Sequence, residues 1–136
     1  MIRQIFVNLP VKDLSRTMAF FSALGWTFNE RFTNDKAACL VISDNIMAML
    51  LTEPFFQGFT KLPISDAHQA TECLLALQCD SRDEVKDIVR KAIAAGGTTP
   101  NEPQDHGFMY QHGFADPDGH QWEVFFMDEA NAPSQM

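Results

Sequence analysis

The chain of 136 residues carries one local pattern twice. A helical stretch stops on glycine and runs into a threonine, asparagine and glutamate ending, first as Gly25-Trp26-Thr27-Phe28-Asn29-Glu30 and again as Gly96-Gly97-Thr98-Thr99-Pro100-Asn101-Glu102. This period exceeds the roughly 20 to 50 residues of solenoid repeats, so it points to two duplicated modules and not to an array. Around the first copy, Ile2 to Val11 alternates as a strand, with Ile5, Val7 and Leu9 on one face and Phe6, Asn8 and Pro10 on the other. Asp13 or Ser15 can cap the helix that follows, and Leu14, Met18, Phe21 and Leu24 recur at helical spacing until Gly25. Three strand-like runs come next, Trp26 to Phe32, Ala37 to Ser43 and Ile46 to Thr52, separated by polar turns.

The second copy follows the same plan. Cys73 to Asp80 reads as a strand, Ser81 caps a helix with Glu84 at its third position, and Val85, Ile88, Val89 and Ile93 line the apolar stripe. Phe108 to Asp116 and His120 to Met127 supply the late strands. The predicted fold is α+β, a single domain of two βαβββ modules, 1–56 and 72–130, joined by a linker at 57–71. The stretch from Glu53 to Thr71 shows no clear period and carries Phe55, Phe56 and Phe59, either a lid over a pocket or aromatic cover for the core or a partner subunit.

Between the last two strands, Asp116-Pro117-Asp118-Gly119 has the chemistry of a sharp turn: proline for a corner, aspartate to hold nearby amides, glycine for positive φ. Alternation after it places Gln121, Glu123 and Phe125 on one face and Trp122, Val124 and Phe126 on the other. Glu123 is therefore a carboxylate among large apolar neighbours, while Trp122 packs on the opposite side, beneath a helix or at a dimer seam.

Eighteen acidic against ten basic residues give a formal charge of -8. With no cluster of Lys and Arg, nucleic acid and anionic membrane are excluded as partners. No stretch reads as a membrane span or a secretory signal, which predicts a soluble, cytoplasmic protein. Cys39, Cys73 and Cys79 are odd in number, lack CxxC spacing and sit in apolar contexts, so buried reduced thiols are expected.

Taken together and in order, Val11-Lys12-Asp13-Leu14 before a helix with Phe20-Phe21, then Leu24-Gly25-Trp26, Ala95-Gly96-Gly97, and Asp116 to Glu123 resemble the vicinal oxygen chelate superfamily. That superfamily includes glyoxalase I, bleomycin-resistance proteins, extradiol dioxygenases and fosfomycin-resistance proteins. The resemblance covers essentially the whole chain and implies two modules whose sheets curl around a cavity, with a homodimer common. It also implies four metal-ligand positions on cavity-facing strands. Glu123 matches the last; Phe6 stands at the first, Leu74 at the head of the second module, and Met49, or alternatively Met47 or Leu51, at the remaining one. A hard divalent ion needs three or four N or O ligands, so no metal and no other cofactor is implied, and glyoxalase I chemistry, whose enediolate needs a Lewis acid, is disfavoured.

Among the histidines, His68, His106, His112 and His120, no pair has the i, i+4 spacing of helical ligands. His112 with Glu123, from neighbouring strands, is the one combination kept. Three roles remain for Glu123. One is a binding module, as in the bleomycin-resistance relatives that sequester a ligand without a catalytic metal. Its apolar pocket is lined by Phe6, Met47, Met49, Leu51, Leu74 and Phe125, with Asn8, Gln78, Glu123, Tyr110 or His112 as polar groups, for an amphipathic small molecule. The second is a metal-free isomerase or epimerase with Glu123 as general base. The third is a structural carboxylate hydrogen-bonded to backbone, Asn8 or Gln78.

Overall fold

The computed structural model describes residues 1–134. The chain divides into two compact units, Met1–Asp66 and Ala67 onward. In the first, the elements in order are β1 (Ile5–Val11), α1 (Leu14–Ala23), β2 (Thr27–Asn29), β3 (Ala37–Ser43), β4 (Ile46–Thr52) and the short helix α2 (Glu53–Gln57). The sheet order is β1-β4-β3-β2, with β1 parallel to β4 and the other pairs antiparallel.

Local chemistry sets the element ends. Asp13 caps α1 by accepting from the Arg16 amide at 3.1 Å, and Gly25, at φ 89°, takes the left-handed conformation that ends it. The strand expected over Trp26 to Phe32 is shorter, because the Asn29 side chain accepts from the Arg31 amide at 3.1 Å and turns Glu30–Phe32 into a single 3-10 turn. At the head of the stretch read as unpatterned, Pro54 sits in the first turn of α2, where its missing N–H goes unneeded.

Register divides this sheet into two faces. Leu9, Val11, Ala38, Leu40, Ala48 and Leu50 are buried on the face that α1 covers with Leu14, Thr17, Phe20 and Phe21. Removing each large one of these side chains from water contributes roughly 1.5–3 kcal/mol. Phe20, off the expected stripe, is buried too, edge-on to Phe21 at 5.0 Å.

The second unit holds β5 (Leu75–Gln78), α3 (Arg82–Ala94), β6 (Gln104–Asp105), β7 (Met109–Ala115) and β8 (Gln121–Met127). Its order, β5-β8-β7-β6 with β5 parallel to β8, repeats that of the first sheet position for position. Two four-stranded mixed sheets with helices therefore realise the two expected modules. Ser81 caps α3 by accepting from the Glu84 amide at 3.1 Å, and the Glu84 carboxylate reaches back to the Asp80 amide at 2.8 Å. The core is Cys79, Val85, Val89 and Val124, flanked by Leu77, Ile88, Tyr110 and Phe126. Ile93, expected in the stripe, is 50% exposed, and Ala92 takes its place. The helix phase brings residues 85, 89 and 92 to the sheet.

Cys39 and Cys79 are buried, and burial pushes both thiols up, Cys79 to about 11 with the Glu84 charge as a further cause. Cys73 is exposed, contrary to expectation, because β5 begins two residues later and leaves it outside the sheet. Among the described residues no helix is long and apolar enough to cross a membrane.

Candidate functional site

The turn before β8 is built on Asp116. Its backbone N–H donates to His120 O at 3.0 Å, its carbonyl accepts from Gly119 N at 2.9 Å, and Gly119 stands at φ 88°. The buried side chain accepts from the amides of Asp118 and His120 through Oδ1, and from Trp122 Nε1 through Oδ2, each at 3.0 Å. Burial raises the pKa of this carboxyl, with the His120 charge and the donated hydrogen bonds opposing. Trp122 is thereby held on the helix side of the sheet, stacked on Phe114 at 6.4 Å between centroids, and the alternation turns Glu123 the other way.

Register states what shares the Glu123 face. Ala76 and Gly113 flank Glu123 on β5 and β7, and Gln78 and Gln111 flank Phe125. Gly113 has a structural reason to be glycine, since a Cβ there would meet the Trp122 carbonyl at 2.6 Å.

Space opens beside Glu123 at the sheet edge. Thr98 pairs with Ala115, and Gln104 with Gln111, so residues 99–103 stand opposite only 112–114 and must loop away from β7. The His112 ring spans the gap on one side, its Nε2 3.0 Å from the Asn101 carbonyl oxygen. A pocket of about 250 Å³ results, lined by Glu123, Gly113, Gln111 and Gln121 from the strands, by Asn101 and Glu102 from the loop, and by Leu74 and Pro100 as apolar wall. Glu123 is half-buried, and within its own unit no described donor, whether backbone or Gln78, reaches its carboxylate.

Of the residues singled out from sequence, Leu74, His112 and Glu123 line this pocket, while Gln78 and Phe125 share its sheet face without lining it. Tyr110 and His112 are corrected in facing: they pair with Phe126 and Val124, so their side chains lie on the helix side, opposite Glu123. Tyr110 packs on the α3 core there, with the Arg82 guanidinium and the Lys86 ammonium 5.7 and 5.4 Å from its ring centroid. His112 and Glu123 thus line one pocket from opposite faces of the sheet. In the first unit, Phe6 pairs with Met47, Asn8 with Met49 and Pro10 with Leu51, so Phe6, Asn8, Met47, Met49 and Leu51 share the sheet face away from α1. Sequence reasoning missed Asn101, Glu102, Gln111, Gly113 and Gln121. The one signal for them was Gly113, an isolated glycine inside a strand pattern.

The donor set does not fit the divalent ion implied by the resemblance. Of the implied positions, Phe6, whichever of Met47, Met49 and Leu51 holds the next one, and Leu74 carry hydrocarbon or thioether, and Glu123 alone carries a carboxylate. Among the described residues no three His, Cys, Asp or Glu side chains are grouped to hold a metal ion.

Comparison with known proteins gives a match to the family model described as the Glyoxalase/Bleomycin resistance protein/Dioxygenase superfamily over residues 3–124. No curated protein matches the chain. Among solved structures, a hypothetical protein from S. aureus, SA1046, is 27% identical, covers 93% of this chain and 94% of its own, and superposes with a TM-score of 0.78. The bleomycin resistance determinant encoded on transposon Tn5 is 20% identical, with 92% and 98% covered and a TM-score of 0.64. The fosfomycin resistance protein FosX from Mesorhizobium loti is 13% identical, with 93% of each chain covered and a TM-score of 0.68. At these identities the last two are likenesses of fold.

Proposed function

The chain belongs to the glyoxalase/bleomycin resistance protein/dioxygenase superfamily, and from that premise we propose that it binds a small organic molecule at Glu123 without a protein-held metal ion. The observation that carries this is the half-buried Glu123 carboxylate, which no described donor of its own unit reaches, at the pocket of about 250 Å³ beside Gly113. Concave sites with a few aimed polar groups are the usual form of small-molecule binding. The replacement of the other implied ligand positions by Phe6, by Met49 or alternatively Met47 or Leu51, and by Leu74 supports the metal-free part of the reading.

The test is metal analysis by plasma emission on untagged protein incubated with Zn²⁺, Ni²⁺, Mn²⁺ or Fe²⁺, together with a thermal-shift screen of small molecules on wild type and Glu123→Gln. Less than stoichiometric metal and at least one compound whose stabilisation needs Glu123 are expected. Stoichiometric metal lost in Glu123→Gln would overturn the proposal. A second reading, a metal-free isomerase or epimerase with Glu123 as base, is favoured by the same free carboxylate. Turnover abolished in Glu123→Gln with binding of a neutral substrate retained would identify it.

A further inference from the structure

We propose, resting on the binding reading above, that the pocket is selective for charge and takes the cationic, N–H-rich head of its ligand, an ammonium, amidinium or guanidinium group, against Glu123. In a site with a full metal-ligand set, the charge of a strand carboxylate is balanced by the metal. At this pocket the apolar wall of Leu74 and Pro100 offers Glu123 no positive charge, so a cationic ligand supplies the pairing charge. None of the residues lining the pocket is Lys or Arg, and Glu102 adds a second carboxylate from the loop.

The amides favour the same chemistry. Gln111 donates its side-chain N–H to Gln104 Oε1 at 3.1 Å, and Gln121 donates to Thr71 Oγ1 at 3.1 Å, so both turn nitrogen toward protein and keep their carbonyl oxygens as acceptors. With two carboxylates and these amide oxygens the lining can satisfy several N–H donors at once, while the carboxylates repel an anion. The whole chain adds to this selectivity, since its formal charge of -8 attracts cations toward the pocket at low salt.

The experiment uses three one-ring probes of matched shape, benzamidinium, benzamide and benzoate, titrated into the full chain and followed by the amide NMR signals of Asn101, Gln111, Gly113 and Glu123. Benzamidinium is expected to shift these signals and to bind more tightly than benzamide, with benzoate weakest. Glu123→Gln should weaken benzamidinium about tenfold or more. Neutral benzamide should lose less than benzamidinium, and the dispersion of the amide signals reports that the variant is folded. Asp83→Asn, an equal change in net charge outside the pocket, should leave benzamidinium within about twofold, since surface charges act weakly through screening. If benzamide or benzoate binds as well as benzamidinium, or if Glu123→Gln leaves the cation unaffected, the pocket stands and its charge selectivity falls. If none of the three binds, the binding reading itself falls and takes this inference with it.

Discussion

Asp116 shows how one side chain places the site it does not enter. Its carboxylate gathers the Asp118 and His120 amides and the Trp122 indole N–H, so the turn, the first residues of β8 and the buried ring are tied at a single group. Asp116→Ala leaves two buried donors and one part-buried donor without this partner, and a loss of about 3 kcal/mol or more in a urea unfolding titration is expected. A loss under about 1 kcal/mol would show that water replaces the carboxylate freely. The pH dependence follows from the raised pKa. Relative to the value of 3.8 for the free group, the folded state holds its proton longer than the unfolded state. The contribution of Asp116 to stability therefore falls as pH rises from 3.8 through the raised folded value, and is constant above it. Compared with Asp116→Asn, which cannot ionise, the wild type should lose ground between acid and neutral pH, measured as the difference in unfolding free energy at the two ends. A difference that instead grows toward neutral pH would show that the donated hydrogen bonds outweigh burial.

At the scale of elements, the tightest joint is the turn between β7 and β8. Gly119 combines a positive φ of 88° with close packing: a Cβ there would lie 2.8 Å from the His68 backbone nitrogen and 2.9 Å from its Nδ1. Gly119→Ala should cost more than the roughly 1–2 kcal/mol of left-handed strain alone, because the 67–68 backbone must also retreat. The melting temperature reads this directly, and a change below about 2 °C would mean that the segment yields without loss. Elements bounded by side-chain chemistry were legible in the sequence: the limits Ala37–Ser43 and Ile46–Thr52, the Asp13 and Ser81 caps and the glycine stop at Gly25 all follow from local residues. Elements made by pairing were not. Gln104 and Asp105 have no strand pattern and become β6 because β7 lies alongside, and Tyr110 and His112 face the helix because hairpin register, invisible in either strand alone, puts them opposite Phe126 and Val124. The pocket was hidden for the same reason, since its residues meet through a five-against-three mismatch of 99–103 with 112–114.

For the whole molecule, the repeated order β1-β4-β3-β2 and β5-β8-β7-β6 confirms that the duplicated sequence pattern carries a duplicated topology. It also repeats a liability. In each sheet one edge is a minor strand, β2 of three residues or β6 of two, and short edges recruit few partners. The other edge of the first sheet is β1, seven residues long, where Ile5 is 55% and Phe6 48% exposed; Leu74, just before β5, is 51% exposed in the second. Nearby in sequence to α2, Phe59 is 67% exposed with its ring edge-on to Phe55 at 5.3 Å. Large apolar groups along an open strand edge are covered by association in soluble proteins, and a second copy of the chain presents the same groups in return. Sedimentation velocity is expected to give a particle of twice the 15.3 kDa chain mass at micromolar concentration. Phe6→Glu, which places a charge on that edge, should shift the distribution toward the single chain while far-ultraviolet circular dichroism stays unchanged. A wild type that sediments as a single chain over the same range would show that these groups are tolerated in water, and that nothing in the exposed edge drives pairing.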